Sequence, residues 1–121
     1  MIKVEQKAEN IYEGIANMMA GAKDDYIQMS TSYGKKELQG YSKDQVDKWE
    51  SMFRVETGKK YIRVVRENGV FCFIVREDSG KFKKGDILKA AGYRAPARNS
   101  ARGNVLTGNY NIQWTGPLYL K

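Results

Sequence analysis

The hydrophobic period changes partway along this chain, and that change limits the folds open to it. From Val4 to Ala22 the apolar positions are Val4, Ala8, Ile11, Tyr12, Ile15, Met18, Met19 and Ala22. That spacing predicts one amphipathic helix, with Gly21 as its stop. A second helix is predicted to open at Ser42, where Gln45 completes a capping-box pattern and Val46, Trp49 and Phe53 share a face. The period then shortens. Lys60–Glu67 (KYIRVVRE) alternates in part, Asn68-Gly69 is a hairpin signal, and Val70–Val75 (VFCFIV) has the composition of a buried strand. Asp78-Ser79-Gly80-Lys81 marks a further turn. A third strand is expected over Phe82 and Asp86–Ala90, with short strands at Ile112–Trp114 and Leu118–Leu120. Helices followed by an antiparallel meander predict an α+β fold, with N-terminal helices and then a small antiparallel β-sheet or partly open barrel.

A length of 121 residues fits one domain over 1–121. Residues 1–56 are expected to be mainly helical, and 57–121 to hold the sheet and an Arg/Asn-rich loop. The polar stretch 23–41 is the best hinge or arm, with Tyr26–Met29 as a short strand inside it. The Met and Tyr face of the first helix serves as core or as the seam of a homo-oligomer, dimer or higher.

The chain has no histidine, which removes the commonest general base, the commonest metal ligand and every His-dependent triad. Its single cysteine, Cys72, sits among apolar neighbours and reads as a buried structural thiol, so no disulfide or cysteine zinc site is expected. Most carboxylates lie among lysines, as in Lys23-Asp24-Asp25, which suits a solvated face better than an acid/base pair. Nothing in the sequence points to an enzyme or to a cofactor. The opening MIKVEQKAEN lacks a signal-peptide core, and no apolar run reaches membrane-spanning length, so an intracellular setting away from membranes is expected.

The net charge of +7 is uneven. Residues 1–86 hold 16 Lys/Arg against 14 Asp/Glu, whereas 87–121 hold Lys89, Arg94, Arg98, Arg102 and Lys121 with no acid. An acid-free tail is a positive field aimed at an anion. Its centre is the run from Lys89 to Asn104 (KAAGYRAPARNSARGN). Pro96 suits the first position of a short helix and Gly103 its C-terminal cap, which would put Arg98 and Arg102 one turn apart on one face. Guanidinium forks match phosphate oxygens, and the small residues between the arginines permit close approach. The candidate ligand-binding residues are therefore Lys89, Arg94, Arg98 and Arg102 for phosphate, Asn99 and Asn104 for a ribose or base edge, and Phe82 and Tyr93 for stacking. Neither a P-loop nor a dinucleotide fingerprint is present.

The stretch Gly85–Arg98, with its Lys, small pair, aromatic and Arg-Ala-Pro-Ala-Arg, followed by Ala101-Arg-Gly-Asn104, resembles a family of small bacteriophage proteins. The ending Trp114-Thr-Gly-Pro-Leu-Tyr-Leu120 is similar to that family's ending, so the likeness spans about residues 60–121. In size, helix-then-sheet order and Arg/Asn-rich loop the chain also resembles the first type of Thoeris anti-defence proteins. That resemblance implies an oligomeric sponge that holds a cyclic ADP-ribose-type immune signal without cleaving it, in the cytoplasm of an infected bacterial host. It would place Phe82 and the Arg94–Asn104 loop near the ligand. Two other readings stay open. One is a nucleic-acid-binding small barrel of Sm-like or SH3-like type, whose binding falls steeply with salt. The other is a phage structural protein with no small ligand.

Overall fold

The structure, a computed structural model, describes residues 1–118. Strand β1 (Ile2–Val4) comes first, then helix α1 (Ile11–Ser30), helix α2 (Gly40–Asp47) and a 3-10 turn at Trp49–Ser51. Strands β2 (Phe53–Thr57), β3 (Tyr61–Arg66), β4 (Gly69–Val75), β5 (Ile87–Leu88), β6 (Tyr110–Gln113) and β7 (Gly116–Pro117) follow. They form two antiparallel sheets, ordered β1-β6-β7 and β2-β3-β4-β5. The architecture is α+β, as the change of period predicts, and the sheets do not close into a barrel. Among the described residues no helix is long and apolar enough to cross a membrane.

Helix α1 starts later and runs further than its spacing predicts. Asn10 caps it, its side chain accepting the Glu13 N–H at 2.9 Å. Val4 belongs instead to β1, paired with Tyr110 of β6. Gly21 does not stop the helix; a Cβ there would lie 2.7 Å from a Val4 methyl, so glycine lets β1 approach the helix. Tyr26–Met29 is helical, not a strand. The helix ends at Thr31, whose hydroxyl donates to the Ile27 carbonyl at 2.8 Å, and Ser32, Tyr33 and Gly34 then turn the chain with positive φ. The capping box at Ser42 does not form either, because α2 is already helical from Gly40. Phe53 opens β2, a strand not anticipated in a region expected to be helical. Strand β7 was likewise not anticipated, and of the strand expected at Leu118–Leu120 only Leu118 falls among the described residues, without strand pairing.

The hairpin of β3 and β4 forms close to its predicted place. A bulge offsets the register by one residue, so that Val64 faces Cys72 while Val65 faces Val70. Its turn residues are therefore Glu67-Asn68, with Glu67 at φ 55°, and Gly69 pairs with Arg66.

The four-stranded sheet buries one face and part of the other. One face packs Ile62, Val64, Cys72 and Ile74 against Ile15, Met18, Met19 and Trp49 in the main core. Cys72 is fully buried, and burial pushes its thiol pKa upward, as for an inert structural cysteine. The apolar face of α1 serves the core within the chain: Ile15, Met18 and Met19 are at most 2% exposed, while Tyr12 is exposed. The other face carries a smaller cluster of Phe73, Val75, Phe82 and Leu88, flanked by Tyr61, Val70, Ala90 and Ala101. Covering this second face is the task of the segment after β5.

Candidate functional site

The segment from Lys89 to Asn104 is not helical. It doubles back on itself: Ala97 N–H donates to the Lys89 carbonyl at 2.7 Å, and Ala91 and Gly92 donate to the Ala95 carbonyl at 3.0 and 3.2 Å. Pro96 is buried, has no N–H to donate, and lies in an extended bridge with Ala90. The chain then returns beside β5, where Arg102 N–H donates to the Ile87 carbonyl and Ile87 N–H to the Gly103 carbonyl, each at 2.8 Å. Arg98 and Arg102 therefore do not share a helical face. Gly103 is required here by its φ of 150° and by Tyr110, whose Cβ would lie 2.4 Å from an added Cβ.

The tip of this small hairpin presents Tyr93 and Arg94 to the outer face of β2 and β3. Alternation along those strands sends Arg54, Glu56, Tyr61 and Arg63 to that face, with Glu56 directly opposite Arg63. Arg63 donates from Nε to Glu56 at 2.8 Å and from Nη1 to the Tyr93 carbonyl at 2.9 Å, while its guanidinium stacks 4.5 Å from the Tyr93 ring centre. Arg54 donates to the same carboxylate at 3.1 Å and reaches the Tyr93 hydroxyl at 3.4 Å. The hydrogen bonds from Arg54 and Arg63 hold the Glu56 carboxyl below its ordinary range. Two arginines thus clamp one tyrosine, and one carboxylate orients both.

Beside the clamp lies a groove of about 220 Å³ bounded by the β2–β3 turn (Thr57, Gly58, Lys59, Lys60), by Tyr61 and Phe73, and by Arg63 and Arg94. Arg76 anchors that turn by donating to the Gly58 carbonyl at 2.6 Å. Tyr61 and Phe73 pack edge to face at 6.1 Å and form an aromatic wall. Glu56 is the one acid bordering the groove, and it is engaged by Arg54 and Arg63. Among the described residues, no carboxylate pairs with the side chains of Lys59, Lys60 or Arg94. A second groove of about 200 Å³ shares Lys59, Lys60 and Tyr61 and extends past Val75 toward Phe82, Glu77 and Asp78. The first groove offers unneutralised cations next to aromatic carbon, a combination suited to an anion on a flat organic body, while Glu77 and Asp78 make the second more acidic.

The residues singled out in the sequence divide in two. Tyr93 and Arg94 reach the clamp and the groove. Phe82 is 4% exposed and holds the smaller core, so its ring is not a free stacking face. Asn104 is a structural pin: its amide donates to the Lys84 carbonyl and the Asp86 carboxylate at 2.9 Å, and its oxygen accepts from Leu106 and Thr107. Asn99 caps Ser100 N–H at 2.8 Å, and its carbonyl accepts from Lys81. Lys89 donates to the Pro117 carbonyl at 2.9 Å, and burial, then the nearby charge of Arg102, lower its pKa. Arg102 donates to the Ser100 carbonyl at 3.0 Å, and Arg98 is exposed outside the groove. Sequence reasoning missed Lys59, Lys60, Tyr61 and Arg63. The signal was present in the i, i+2 spacing of Tyr61 and Arg63, which assigns both to the face away from Ile62 and Val64.

A family model matches residues 3–120, and the chain belongs to that family, described as Family of unknown function (DUF7717). No curated protein and no solved structure matches it.

Proposed function

We propose that this DUF7717 member is a non-catalytic binding protein that takes a phosphate-bearing nucleotide in the groove between the β2–β3 turn and the Tyr93–Arg94 tip. One observation carries the reading: Lys59, Lys60 and Arg94 border an aromatic-walled groove without a carboxylate to neutralise them. All three are exposed and free to meet a ligand, and phosphate oxygens are partners that guanidinium and ammonium groups suit well. Arg63 and Arg54 supply a rigid backing, since Tyr93 and Glu56 fix their geometry before a ligand arrives.

The volume bears on ligand size. About 220 Å³ is below the roughly 300–1,000 Å³ of sites that enclose a drug-sized molecule. In this reading the groove takes the phosphate end of the ligand, and the rest lies outside it. That favours a compact nucleotide over a long strand. The finer proposal, a cyclic ADP-ribose-type immune signal sequestered in an infected bacterium, rests on the chain's resemblance to the first type of Thoeris anti-defence proteins in size, helix-then-sheet order and Arg/Asn-rich loop.

Calorimetric titration with cyclic ADP-ribose isomers and with a short RNA, at two salt concentrations, tests this. Saturable binding of the nucleotide with intact ligand recovered is the expected result. Binding of RNA alone, lost at the higher salt, would move the protein to the nucleic-acid class. Silence toward both would overturn the nucleotide reading.

A further inference from the structure

A second feature lies at the opposite end of the β3–β4 hairpin, away from the nucleotide groove. Arg66, the last residue of β3, stacks its guanidinium 4.2 Å from the Trp49 ring centre and 5.9 Å from that of Trp114. Its Nε is buried and meets no acceptor. No carboxylate among the described residues lies within ion-pair distance of it. Stacking on the indoles favours the cation, but the buried Nε is left without the acceptor that a buried donor ordinarily has.

Arg66 also borders a cavity of about 260 Å³, completed by Gly69, Val70, Phe71, Trp114 and Thr115. Among the described residues that lining contains one cation and no acid. The Arg66 side chain has no hydrogen-bond partner among the described residues, and of its three nitrogens Nε alone is both buried and unpartnered. Thr115 is exposed and adds a hydroxyl at the rim. Phe71 and Trp114 supply apolar walls. Stacking on Trp49, itself anchored by donating from its indole N–H to the Met19 carbonyl at 3.0 Å, fixes the plane of the fork in advance.

We propose that Arg66 is the centre of a second ligand site, which takes the anionic group of a small aromatic acid, carboxylate or phosphate monoester. The guanidinium fork receives two oxygens, and the ring lies along Trp114. The site is independent of the nucleotide groove and stands whether or not that groove binds a nucleotide.

The chain has two tryptophans, Trp49 and Trp114, and both contact Arg66, so intrinsic fluorescence reports this site directly. The experiment titrates the whole protein with benzoate, phenyl phosphate, inorganic phosphate and, as a neutral control, benzyl alcohol. A saturable change with benzoate or phenyl phosphate, absent with benzyl alcohol, is expected. Response to benzoate alone would assign carboxylates, and response to phenyl phosphate alone would assign phosphate esters. Arg66→Met should weaken the affinity by about tenfold or more, as expected for loss of a charge-assisted pair. Arg66→Lys keeps the charge, loses the fork, and should fall between; it also serves if the Met variant does not fold. Arg94→Ala, in the nucleotide groove, should leave the response unchanged. No saturable response to either aromatic acid, or a response undiminished in both Arg66 variants, would overturn the proposal.

Discussion

Replacing Gly14 by alanine sets two opposing effects against each other, and the structure decides between them. Gly14 lies in the first turns of α1, where alanine is intrinsically better than glycine by about 1 kcal/mol. An added Cβ would, however, lie 2.5 Å from the Val105 carbonyl oxygen and 2.7 Å from its Cβ, against ordinary contacts of 3.4–4 Å. The obstacle is backbone and cannot swing aside. Val105 is 1% exposed, its N–H donates to Gly85 at 2.9 Å, and the next carbonyl, of Leu106, accepts from Ala8 at 3.0 Å. Overpacking of this kind costs about 1–3 kcal/mol, and a rigid neighbour places it at the upper end. Subtracting the propensity gain leaves a net loss of about 2 kcal/mol. In a chain of this size that lowers Tm by about 5–8 °C. Urea unfolding followed by tryptophan fluorescence should show a lower midpoint at an unchanged slope. A Gly14→Ala midpoint equal to or above that of the parent would refute the close seating of α1 on residue 105.

Three further perturbations test other parts of the account. The Tyr110 hydroxyl is buried without a partner, so Tyr110→Phe should stabilise by about 1 kcal/mol, read as a higher urea midpoint; a lower midpoint would mean that the hydroxyl is bonded. Glu56 has a folded pKa below its ordinary 4.5, so its pairing with Arg54 and Arg63 stabilises fully above that value and is lost as pH falls through the lower folded one. Urea midpoints of the parent and Glu56→Gln should accordingly differ at pH 7, with the gap narrowing as pH falls below 4.5, and a constant gap would contradict the ion-pair assignment. Arg76→Ala removes the anchor of the β2–β3 turn and should speed amide exchange at Gly58, whose N–H donates to Tyr61 at 2.9 Å, without exposing the buried strand β4.

Local signals identified the elements whose physics is local. The β3–β4 hairpin was legible because a buried apolar run beside a turn residue has few other solutions, and the bulge at Val64/Val65 moved its turn by a single residue. The apolar stripe of α1 was legible too, but its limits were not. Val4 continues the helical spacing in sequence and yet pairs with Tyr110, a partner more than a hundred residues away that no local pattern announces. Gly21 looked like a stop and is a contact surface, since the strand packed against it is invisible until the fold is known.

The site followed the same rule. Tyr93 and Arg94 emerged from the charge asymmetry of the tail. Asn104 drew notice for its amide, which turns and bridges in the 84–107 region consume. Lys59, Lys60 and Arg63 were hidden because residues 1–86 are almost balanced in charge. Balance along a sequence says nothing of clustering in space: Glu56 is tied up by two arginines, and the lysines of the adjoining turn are left to face the groove.

The most direct test of the central claim compares Arg94→Ala with Arg98→Ala in a titration with the nucleotide that the parent protein binds. Arg94 borders the groove, and Arg98 lies four residues further along the same loop, exposed and outside it. Loss of a charge-assisted contact weakens binding by about tenfold to a hundredfold, so the account predicts that loss for Arg94→Ala and parental affinity for Arg98→Ala. Full affinity in Arg94→Ala together with a loss in Arg98→Ala would move the site off the groove and contradict the account.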